Sequence, residues 1–67
     1  MQEIGELVKV IDDIVEDTIK YSKQGHDLKT LMRESEDYIR GFMKRHTNLD
    51  YKPFVEYYRK KINERYI

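Results

Sequence analysis

Apolar side chains recur along this 67-residue chain in three runs with the three-and-four spacing of a helix. In the first, Ile4, Leu7, Val8, Ile11, Ile14, Val15, Thr18, Ile19 and Ser22 share one side, while Glu6, Lys9, Asp13, Glu16 and Lys20 fill the other. This pattern predicts an amphipathic helix over roughly residues 2–24. Gly25 can take the left-handed conformation that ends it, and Lys20 and Lys23 complement the helix dipole in its final turn. Asp27 is placed to cap a second helix. So short a link forces the two helices antiparallel.

The second run puts Leu28, Leu31, Met32, Ser35, Ile39, Phe42, Met43 and His46 on one stripe with Tyr38 at its edge, predicting a helix over residues 28–46. Opposite lie Lys29, Arg33, Glu36, Asp37, Arg40 and Lys44, with Arg33/Asp37 and Glu36/Arg40 four residues apart and able to pair. Gly41 is read as tolerated or as a packing site. Asn48 is expected to end the helix, with Leu49 folding back onto Phe42 and Met43. Pro53 fits the first turn of a third helix over residues 52–66, whose stripe is Phe54, Val55, Tyr58, Ile62 and Tyr66, with Tyr51 leading in. No apolar/polar alternation or hairpin turn signals a strand. The expected fold is an all-α, up-down-up three-helix bundle forming a single helical domain over residues 1–67.

On the first helix, Val10, Ile14 and Tyr21 widen the apolar arc beyond what a single-sided helix needs. The expectation is that the other two helices cover this flank within the monomer, the alternative being a homodimer interface.

The net charge is zero but unevenly spread. Residues 1–39 hold 5 Lys/Arg against 10 Asp/Glu, and residues 40–67 hold 8 against 3. The basic end therefore suits an acidic partner or a nucleic acid. The N-terminus lacks a positive signal region and apolar residues never run longer than two, so membrane insertion is not expected and a cytoplasmic location is.

Catalytic chemistry finds little support. There is no cysteine, both serines lie on helices, and His26-Asp27 reads as a turn and a cap. His26 and His46 stand at opposite ends of the second helix, about 30 Å apart at 1.5 Å per residue, too far to share a metal. The three glycines are isolated and form no phosphate-cradling loop. Asp12-Asp13-x-x-Glu16 and Glu34-x-x-Asp37 resemble in spacing the paired motifs of the all-α nucleoside triphosphate pyrophosphatases. The resemblance implies Mg²⁺ held between facing helices, but covers five positions, with Asp at two where that family usually has Glu. Those enzymes also use a longer chain. A helical projection turns all five carboxylates away from the apolar faces, where they cannot close on one ion. No catalytic residue, cofactor or metal ligand is therefore assigned.

Residues 51–67 interleave Tyr51, Phe54, Tyr57, Tyr58 and Tyr66 with Lys52, Arg59, Lys60, Lys61 and Arg65, a composition that suits phosphates and stacked bases. The cations are scattered around the helix, and taking Gly41 as the turn of a helix-turn-helix fails because both its flanks stay helix-periodic. The reading adopted is a non-enzymatic regulatory or adaptor module acting by protein contact, as a monomer or homodimer, with sequence-tolerant nucleic-acid binding as the alternative. Its expected contact surface is Arg40, Lys44, Tyr57, Arg59, Lys60 and Lys61, because Tyr57 falls off the apolar stripe among cations and tyrosine gives large contact area at small entropic cost.

Overall fold

Gly25 makes the first bend. Its φ of 102° lies in the left-handed region, where a side chain would be strained. The Gly25 N–H donates to the Ser22 carbonyl and the His26 N–H to that of Tyr21, the bond pattern of a Schellman cap, while the Tyr21 and His26 rings meet edge to face. This closes helix α1, Ile4–Lys23. Asp27 is extended and its carboxylate accepts from the Thr30 N–H and hydroxyl, opening helix α2, Leu28–His46. A third helix, α3, spans Lys52–Tyr66, so the chain is a three-helix bundle with every helix pair in contact. The computed structural model describes residues 4–66. The expected start of α1 at residue 2 lies outside them.

The second bend differs from expectation. Thr47, not Asn48, caps α2: it is extended, its N–H donates to the Met43 carbonyl, and its hydroxyl accepts from the Leu49 N–H. Among the described residues none other than glycine takes positive φ. Without a left-handed Asn48 the chain does not turn back on the helix, and Leu49 is left 45% exposed. Asp50 then accepts from the Lys52 N–H and starts α3.

The core is a row of Leu7, Ile11, Val15 and Ile19 on α1, met by Ile39 and Met43 of α2 and by Val55, Tyr58 and Ile62 of α3. Asp12 reaches Tyr57 and Glu16 reaches Arg65, so α1 and α3 run the same way. Glu36 reaches Arg59 and Arg40 stacks over Tyr51, so α2 and α3 run oppositely. The order is up-down-up, as the short connections required.

Tyr58 is fully buried and its hydroxyl lies 2.7 Å from that of Thr18. Thr18 donates its single proton to the Ile14 carbonyl at 2.9 Å, so it accepts from Tyr58. Ser35 approaches the same oxygen at 3.3 Å, bringing all three helices to one atom. Thr18→Val strands the Tyr58 hydroxyl and is expected to cost about 2 kcal/mol, whereas Thr18→Val with Tyr58→Phe costs less because the buried Tyr58 hydroxyl is gone, Ser35 losing its Thr18 contact in both. Urea denaturation of both variants checks this, and a double variant less stable than Thr18→Val contradicts it.

Candidate functional site

Helix α2 is rotated from the orientation its apolar stripe predicts. Its interior row is Glu36, Ile39 and Met43, whereas Leu31 and Ser35 are half-buried and Tyr38 is 50% exposed. A carboxylate faces inward because Arg59 reaches across from α3 and holds it by two parallel bonds of 2.7 and 3.0 Å, with Arg40 4.0 Å away. The planar guanidinium matches both carboxylate oxygens and compensates the charge where water is scarce.

The rotation opens the far side of the hairpin. On α1 the expected cover over Val10, Ile14 and Tyr21 is only partial, since α3 packs along the Leu7–Ile19 row: Val10 and Ile14 are half-buried, Ile14 against the core, and Tyr21 is exposed. The two partly covered flanks face each other across a groove with Val10, Ile14 and Leu31 on its floor and Tyr21 and Tyr38 along it. Its cavity of about 480 Å³ lies in the range of ligand sites. The hydroxyls of Thr18 and Ser35 also line it but are already bonded to each other within the bundle. The remaining polar groups, Asp13, Asp17 and Glu34, stand on exposed rims and do not converge on the floor. A small polar ligand would find no fixed partner at its base, whereas a partner's apolar side chains would find a matching surface.

The expected basic contact surface is divided between two helix seams. Arg40 and Arg59 lie at the α2–α3 seam, both on Glu36, with Arg40 also 3.1 Å from Asp37. Asp37 thus pairs with Arg40 and not with the predicted Arg33. The buried Arg40 Nε has no acceptor among the described residues, and the guanidinium lies 5.7 Å from the Tyr51 ring centroid. Tyr57 lies at the α1–α3 seam: it packs against the core and donates to Asp12 at 2.8 Å, although its place off the stripe had suggested an outward ring. Lys61 sits over that ring and 3.6 Å from Glu64. Lys44 and Lys60 are exposed and have no carboxylate partner among the described residues.

The five carboxylates of the Mg²⁺-like pattern also separate. Asp12 meets Tyr57, Glu16 meets Arg65 and Asp37 meets Arg40, each at a different place. Asp13 and Glu34, expected to diverge, instead share the groove because of the rotation of α2. Among the described residues no group of three His, Cys, Asp or Glu is placed to hold a metal ion. No helix among them is long and apolar enough to cross a membrane. No family model, curated protein or solved structure matches this chain.

The Arg59 bonds hold the Glu36 carboxyl below its ordinary value against the opposing effect of burial. Glu16 is lowered by Arg65 and Asp27 by its Thr30 bonds. A carboxylate lowered in the folded state stabilises the fold above the ordinary carboxylate range, and that contribution is lost as pH falls through the lowered value. Stability is therefore expected to fall from about pH 4.5 downward. Arg59→Met removes the partner that lowers Glu36 and should make this acid limb shallower. Urea midpoints at neutral and acid pH check it, and an unchanged drop between them contradicts the assignment.

Proposed function

We propose that this chain is a small non-enzymatic regulatory or adaptor module that works by protein contact, and that the α1–α2 groove is its principal contact surface. The observation that carries this reading is the partly covered apolar floor flanked by Tyr21 and Tyr38, which are 43% and 50% exposed. Apolar surface left open beside tyrosines is characteristic of interface cores, where an aromatic ring covers much area and loses little freedom on binding. The two helices that form the groove are fixed by the Thr18–Tyr58 and Glu36–Arg59 contacts, so an incoming partner meets a surface already shaped.

Four of the six residues first expected to make contact already have partners within the chain. Arg59 and Tyr57 bond across helices, Arg40 pairs with Glu36 and Asp37 of its own helix and Lys61 with Glu64 of its own, which leaves Lys44 and Lys60 as outward charges. Matched in this way, the arginines have less attraction for a phosphate backbone than their number alone implies. Lys44 and Lys60 form a peripheral contact in this reading, one that steers a partner more than it holds one.

A photo-activatable benzoylphenylalanine placed at Tyr38, and separately at Lys60, tests the assignment in the cells that make the protein. Covalent protein adducts are expected from position 38 and few from position 60. Adducts from position 60 alone would move the contact surface to the basic end, and none from either position would overturn a protein-contact role.

A further inference from the structure

Resting on that reading of the groove, we propose what occupies it: one amphipathic helix of another protein, apolar on one side and flanked by lysines or arginines. Three observations converge on this occupant. The first is shape. Helix α3 fills one side of the α1–α2 hairpin, and the groove, lined by α1 and α2 alone, is a second seam between the same two helices on which a further helix can lie. From Val10 to Tyr21 it runs about 16 Å along α1, enough for three turns of a docked helix.

The second is the chemistry of the floor. Val10, Ile14 and Leu31 present hydrocarbon, and the floor hydroxyls of Thr18 and Ser35 are in contact with each other. An occupant therefore needs aliphatic or aromatic anchors at helical spacing and no buried polar group.

The third is charge. Within the described residues the carboxylates of Asp12, Glu16, Asp27, Glu36, Asp37, Asp50 and Glu64 each meet a donor. Asp13, Asp17, Glu34, Glu6 and Glu56 meet none, and the first three of these line this groove. Asp13 and Asp17 stand one turn apart on one rim and Glu34 stands on the other, so cations on both sides of an apolar stripe would be answered at once. No lysine or arginine is among the residues that line the groove.

A second copy of this chain fits less well. Two-fold pairing through the groove would set these carboxylates against their own duplicates. The outward side of α3, with Lys52, Glu56, Lys60 and Asn63, offers charge without an apolar stripe.

The test uses the whole chain and a synthetic 18-residue amphipathic helix with leucines on one side and lysines flanking them, followed by amide chemical shifts and calorimetry. Shifts should concentrate around Val10, Ile14, Leu31 and Tyr38. Neutralising the rim with Asp13→Asn, Asp17→Asn and Glu34→Gln should weaken binding about tenfold, as should replacing the peptide lysines by glutamates. Raising salt from about 50 to 300 mM should weaken it in the same direction. Equal binding of the lysine and glutamate peptides, shifts centred on α3, or dimerisation of the chain through the groove would overturn the proposal. Should the lysine peptide fail to bind while position 38 still gives protein adducts, the occupant is wrong and the groove reading stands. If adducts and binding both fail, both readings fall.

Discussion

A helical hairpin has two grooves, and after α1 and α2 pair, this chain has one helix left to fill them. Everything else in the molecule follows from which groove α3 takes. It packs along the Leu7–Ile19 row of α1 and meets Ile39 and Met43 of α2, which buries the main apolar row of α1 and only part of the apolar stripe of α2. The wider arcs of α1 and α2 cannot be wrapped by one fifteen-residue helix. Their surplus, Val10, Ile14 and Tyr21 on one helix and Leu31 and Tyr38 on the other, is therefore left only partly covered along one groove.

Polar contacts decide how α3 sits once the apolar rows have brought it there. Apolar contact is not directional, so it permits some sliding and rotation of a helix in its groove. The Tyr58 hydroxyl meeting Thr18 sets the depth of α3 against α1, and the fork of Arg59 on Glu36 sets the rotation of α2. The same arginine that steadies the bundle is thereby paired within it, although its side chain stays half exposed. A cation counted in the sequence as contact potential becomes, in the fold, part of the packing.

Much of the architecture is legible in the sequence because it is local. Gly25 and Asp27 mark the first turn through their own backbone and side-chain chemistry, and each helix shows its period within a few residues. Asn48 misled because helix ends have several solutions and the hydroxyl of Thr47 supplies one that needs no left-handed residue. What sequence reasoning missed is nonlocal. Glu36 reads as a surface residue until Arg59, 23 positions away, arrives beside it, and Tyr57 reads as an outward ring until Asp12 accepts its proton. The groove was half legible: the wide arc of α1 announces a flank needing cover, but the opposing flank of α2 appears only after Glu36 turns inward.

The arrangement places apolar residues in three environments: sealed between helices, shared at the groove, or fully outside. Solvent relaxation enhancement by a neutral gadolinium chelate, read on the methyl groups of the dilute protein, separates the first two directly. Methyls of Val10 and Leu31 are expected to broaden strongly, and those of Ile11, Ile39 and Ile62 to stay sharp. Equal protection of both sets would mean that the second groove is closed, and the account of what this chain leaves open for a partner would be wrong.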